Sequence, residues 1–126
     1  MQRSAEAFVK AAAESGYTLD YSIGSLELLD DMLDHLFSVR SPIGRRRGKL
    51  AIRRFESMVR PTGAYVGEAL RRATGADWAV HEEFGEGLHL PPDHWIFPLA
   101  KAEKRFVNGH EDSLGFFGEV MAGMHG

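Results

Sequence analysis

Cysteine is absent from this 126-residue chain. That excludes a disulfide scaffold, a thiolate nucleophile and any thiolate-ligated zinc or iron–sulfur centre, and it fits a reducing compartment. Long apolar runs are missing too. No stretch approaches the roughly 18 uninterrupted apolar residues of a membrane span, and Lys10 and Glu14 interrupt the N-terminal region before a signal-like core can form. The expectation is a soluble, cytoplasmic protein that avoids membranes. Phosphate-binding loops are lacking: Gly85-x-Gly87 is too short and wrongly placed for a dinucleotide loop, and no Gly-x-x-x-x-Gly-Lys run occurs. No serine lies in a Gly-x-Ser-x-Gly frame, and Ser22, Ser25 and Ser113 read better as helix caps.

What is present is an ordinary globular composition. Apolar residues make up 44% and charged residues 26%, which, with 13 aromatic residues (Trp 2, Tyr 3, Phe 8), is enough for a real core in one domain, residues 1–126. The charge is strongly segregated. Residues 40–60 hold eight bases (Arg40, Arg45, Arg46, Arg47, Lys49, Arg53, Arg54 and Arg60) against one acid, Glu56. The preceding segment carries seven acids and two bases, and the following one ten and five. A net charge of −3 therefore conceals a +7 block between two −5 blocks.

Ser4 is placed to cap a helix over Ala5–Ser15, with Gly16 beyond its end and Phe8, Val9, Ala12 and Ala13 as its apolar stripe. Residues 17–21 read as an extended lead-in. Ser22 or Ser25 starts a second helix to about Val39, whose buried stripe is Leu26, Leu29, Met32, Leu33 and Leu36. Ser41–Gly48 is loop by composition. Helical spacing at Leu50, Phe55, Met58 and Val59 stops at Pro61, and a new helix resumes with Tyr65, Val66, Ala69 and Leu70 until Gly75. Gly63 and Gly67 share a face that admits a close neighbour. The period then changes to two, predicting a hairpin over 77–90 and a third strand at 94–97, after the exposed Pro91-Pro92 connection. Pro98 opens a helix to about Val107, Asn108-Gly109 ends it, and Asp112 or Ser113 caps a last one through Met121. Helices, a small antiparallel sheet and further helices make an α+β fold.

The order of local motifs resembles that of certain small bacterial single-domain proteins of unknown function. The likeness rests on Leu19-Asp20-Tyr21-Ser22 with Ser25-Leu26 and Leu29-Asp30, then Gly63-Ala64-Tyr65-Val66-Gly67-Glu68 followed by Gly75 and Trp78. Pro98, Lys104-Arg105, Gly109 and Ser113-Leu114 complete it, over residues 17–120. The resemblance implies an α+β domain and supplies no catalytic residue. The basic loop has no counterpart in it.

Two sets of residues stand out as candidate sites. Arg45, Arg46, Arg47, Lys49, Arg53 and Arg54 form a cationic cluster beside glycines that an acidic protein partner would suit. Nucleic acid is disfavoured, because stacking aromatics are lacking there and the whole chain is acidic with pI about 6.0; a solvated loop is the plainer reading of such a block. The second set is a pocket between sheet and helix lined by Tyr65, Trp78 and Trp95, with Glu68 and one histidine as its polar groups. The plainer reading of Glu68 is a helix-surface acid paired with Arg71 or Arg72. His81, Glu82, Glu83, His89, Asp93 and His94 crowd one hairpin, but without metal-site spacing they read as surface residues. The expectation is no metal, no cofactor, and a non-enzymatic macromolecule-binding module of immunity or adaptor type. The alternative is a small-ligand or catalytic pocket at Tyr65–Glu68. Oligomeric state is not legible.

Overall fold

The computed structural model describes residues 1–37 and 49–125, with side chains over 1–36 and 57–125. Arg45, Arg46 and Arg47 of the basic cluster lie outside the described residues, as do the side chains of Lys49, Arg53 and Arg54. The fold is α+β, with five α-helices and one three-stranded sheet among the described residues: α1 (Gln2–Glu14), α2 (Ser25–Phe37), α3 (Lys49–Thr74), β1 (Asp77–His81), β2 (Gly85–Leu90), β3 (His94–Ile96), α4 (Pro98–Asn108) and α5 (Leu114–His125). A 3-10 turn at Gly109–Asp112 joins the last two helices. No helix is long and apolar enough to cross a membrane among the described residues.

The centre of the molecule is α3, which packs against α1, α4 and α5. Pro61 lies inside it rather than between two helices. A proline in a helix interior costs about 3 kcal/mol through its missing amide and its ring clash. Here Thr62, Gly63 and every residue to Leu70 are buried, and that burial carries the helix through. The core joins Phe8 of α1, the α2 stripe Leu26, Leu29, Met32 and Leu33, Tyr65, Val66 and Leu70 of α3, and Leu88 and Ile96 of the sheet. Helix α1 starts at Gln2 without a side-chain cap, so Ser4 lies within its first turn.

The sheet is antiparallel in the order β1-β2-β3. Trp78 faces Leu88 and Leu88 faces Ile96, so these three share the inner face. His89 faces Trp95, and Asp77 faces His89, which puts Trp95 on the opposite side of the sheet from Trp78. Gly63 and Gly67 seat this layer on α3. A Cβ at Gly63 would lie 2.8 Å from the Leu99 Cα, and one at Gly67 only 2.2 Å from the Trp78 ring. Only hydrogen at these positions lets α4 and the indole approach so closely.

The residues that carry the motif resemblance hold the fold together. Asp20 accepts hydrogen bonds from the Ser22 amide (3.0 Å) and hydroxyl (2.6 Å), and the Ser22 hydroxyl caps the amide of Ser25 at 3.1 Å. Tyr21 takes a positive φ of 66°, an uncommon conformation for a residue with a side chain. Its amide donates to the buried Tyr65 hydroxyl at 2.9 Å, and its ring lies under the Arg72 guanidinium, 3.7 Å from ring centre to Cζ. The Tyr65 hydroxyl also meets the Ser25 hydroxyl at 2.5 Å. Burial pushes the Tyr65 pKa up. Thus Asp20-Tyr21-Ser22 and Tyr65, 44 residues apart, form one junction between the lead-in, α2 and α3.

Candidate functional site

Glu68 is 1% exposed, which its helical spacing left open. It is not free. Its Oε2 accepts from Arg71 Nε at 2.9 Å and from the Trp78 indole Nε1 at 2.9 Å, while Arg71 Nη2 reaches Oε1 at 3.4 Å. Burial alone would raise its pKa, but the Arg71 and Trp78 hydrogen bonds outweigh it and leave the carboxyl below the usual range. A carboxylate held ionised by two donors is a poor general base near neutrality. The proposed pocket also loses its walls. Trp95 is on the far face of the sheet, and the Tyr65 hydroxyl is spent on Ser25 and Tyr21. Glu68 and Trp78 meet directly, but with Trp95 on the other face the four residues do not line one cavity.

A second buried charge was missed by sequence reasoning. Asp30, 2% exposed, sits on α2 against the start of α5. Oδ1 accepts from Arg105 Nε (2.8 Å) and the Leu114 amide (3.0 Å); Oδ2 accepts from the Ser113 hydroxyl (2.8 Å) and the Gly115 amide (2.8 Å). Arg105 also holds Asp34 at 2.6 Å, and His110 pairs with Asp34. Burial pushes the Asp30 pKa up, and Arg105, the two amides and Ser113 together bring it below the ordinary value. This is a helix cap supplied by a neighbouring helix, bound to an ion pair. All four acceptor positions are used, so it offers a ligand nothing. The nearby cleft of about 260 Å3 is acidic, with Glu27, Asp31 and Glu119 at its walls. No group of three His, Asp or Glu side chains among the described residues is arranged to hold a metal ion.

The outer face of the sheet carries a cluster of aromatic rings. His81, Phe84, Trp95, Phe97 and His89 meet there ring to ring. His81 lies edge-on to Trp95 at 5.0 Å and to Phe97 at 5.8 Å, Phe84 meets Phe97 at 5.6 Å, and His89 meets Trp95 at 4.8 Å. Trp95 and Phe97 are nearly parallel, 6° apart at 6.0 Å. His81 closes the hairpin turn as well, its Nδ1 accepting from the amides of Glu83 (3.0 Å) and Phe84 (3.3 Å), so the proton of a neutral ring is on Nε2. Gly87 makes the platform flat, since a Cβ there would lie 2.8 Å from the Phe97 ring. Phe84 is 67% exposed. The platform continues into a cleft of about 390 Å3 that turns past β3 toward α4 and α5. The legible signal for it was Trp95 and Phe97 two residues apart, next to a strand bearing Gly85 and Gly87.

The chain matches no protein-family model, no curated protein and no solved structure. The reading of the site therefore rests on its geometry.

Proposed function

We propose that the protein is a non-enzymatic protein-binding module, a small cytoplasmic bacterial domain of immunity or adaptor type. One observation carries the reading: the aromatic outer face of the sheet, whose rings contact one another and leave Phe84 67% exposed. Large rigid rings supply contact area at low entropic cost and are enriched where proteins dock. The competing pocket reading is weakened by Glu68 and Tyr65, whose polar atoms are satisfied within the fold. The segregated charge supports the same conclusion, since adjacent patches of opposite sign orient an approaching protein. Nucleic acid fits the platform poorly, because Asp77, Glu82 and Glu83 of its strand and turn are acidic and exposed.

The test is affinity capture from the native cell with three forms of the protein. The parent form should retain a stoichiometric protein that Phe84→Ser loses. Phe116→Ser, an equally exposed aromatic on α5 (70%), should retain it. Equal capture by Phe84→Ser, or none by the parent at low salt, would sink the proposal.

A further inference from the structure

Trp95 and Ile96 point to opposite faces of β3, yet both line the cleft of about 390 Å3, together with Phe97. Successive side chains on a strand alternate between faces. Ile96 is 2% exposed, so the groove lies chiefly on the Trp95 and Phe97 side and passes between β3 and α5. Among the described residues β3 pairs with β2 alone, and its His94 meets His125 of α5 at 5.2 Å. In an antiparallel ladder alternate residues direct their N–H and C=O groups away from the neighbour, so β3 presents backbone donors and acceptors to the groove. Across it, Phe117 and Met121 of α5 form an apolar wall. Lys101 and Lys104 of α4 are its charged residues, and no acid lines it, although the chain is acidic overall. Lys101 is bound to Asp112 at 2.8 Å. Lys104 is exposed and makes no ion pair among the described residues, although its charge is felt by the Asp112 carboxyl.

We infer that this groove takes an extended, acidic peptide segment of a partner protein as a fourth strand beside β3. The inference rests on the protein-binding reading above and names the form of the partner. Main-chain hydrogen bonds to the β3 edge would provide affinity without regard to sequence. Alternate side chains of the guest would then read the walls. One set enters the apolar space between Trp95 or Phe97 and Phe117, and a carboxylate meets the Lys104 ammonium. An uncovered strand edge is otherwise an aggregation hazard; here the walls and Lys104 select what pairs with it. The charge argument decides the occupant: Lys101 is already paired with Asp112, and the Lys104 ammonium would repel a basic side chain and attract an acidic one.

The experiment is selection from an unbiased heptapeptide display library on the purified full chain, followed by titration of the enriched peptides as synthetic acetylated amides. Enriched sequences should alternate apolar and acidic residues, and binding should shift the backbone amide resonances of His94–Ile96 and the side of α5 bearing Phe117 and Met121. Lys104→Glu should raise the dissociation constant about tenfold or more, as expected for reversing one close charge contact. The same charge change at the exposed Lys10 on α1 should leave it unaltered. No enrichment, enrichment of basic or proline-rich sequences, or equal binding by Lys104→Glu would each overturn the inference. If native-cell capture still depends on Phe84 in that case, the binding-module reading survives and only the strand-addition mode fails.

Discussion

Replacing Asp30 by asparagine tests the reasoning most severely, because the change is nearly isosteric and purely electrostatic. The carboxylate takes four hydrogen bonds, two of them from buried amides of α5, and its partner Arg105 is 5% exposed. Removing one member of a buried ion pair costs about 3–5 kcal/mol, since the other charge is left in a poorly solvated site. Asp34 still holds Arg105 at 2.6 Å, which moves the figure toward the lower end. The asparagine NH2 group, however, opposes the Gly115 amide or, turned over, the Arg105 and Leu114 donors, and a buried unpaired donor costs about 1–3 kcal/mol. We expect a loss of about 3–4 kcal/mol at pH 7, or a drop in Tm of about 12–16 °C for a chain of this length, read by circular dichroism. Added salt should change the difference little, because the pair is buried.

The pH dependence of that difference has a definite sign. The folded-state pKa of Asp30 is lowered, so its contribution is fully present above the unfolded value near 3.9 and disappears as pH falls through the folded pKa. The gap between parent and variant should be constant from about pH 5 to pH 8 and narrow below about pH 4. A loss under about 1 kcal/mol at pH 7, or a gap that persists unchanged to the lowest pH, would refute the account of Asp30 as a paired, ionised cap.

Two substitutions on α3 probe the rest of the frame. Gly67→Ala places a methyl 2.2 Å from a Trp78 ring that its bond to Glu68 holds in place; overpacking of this kind should cost about 1–3 kcal/mol, with a changed tryptophan emission. Preserved stability and emission would show that the indole is not held there. Tyr65→Phe removes the hydroxyl shared by Ser25 and the Tyr21 amide and should lower the urea midpoint by the equivalent of about 1–3 kcal/mol at unchanged slope. An unchanged midpoint would mean that the junction adds nothing to stability.

On α1 Ala5 is buried and Ala13 of the expected stripe is exposed, but the α2 stripe, the hairpin over 77–90, the third strand and the α+β class are legible in the chain, because spacing and turn chemistry are local properties. Gly75 shows why: its positive φ of 80° ends α3 and depends on nothing distant. Pro61 shows where local reasoning stops. Its intrinsic preference is to begin a helix, and only the burial of Thr62–Leu70 against other elements overrides it. The four residues Tyr65, Glu68, Trp78 and Trp95 fail as a pocket for a related reason. Strand register decides which face a side chain takes, and a shift of one residue reverses every face. Asp30 reads as one acid among several on α2, yet it binds residues 75 to 85 positions away. The partners of a charge are set by which elements meet, and that meeting is decided by packing of the whole core. Sequence alone determined the elements, their order and the segregation of charge. The tertiary structure decided which charges are buried and satisfied, and which face of the sheet gathers its aromatic rings.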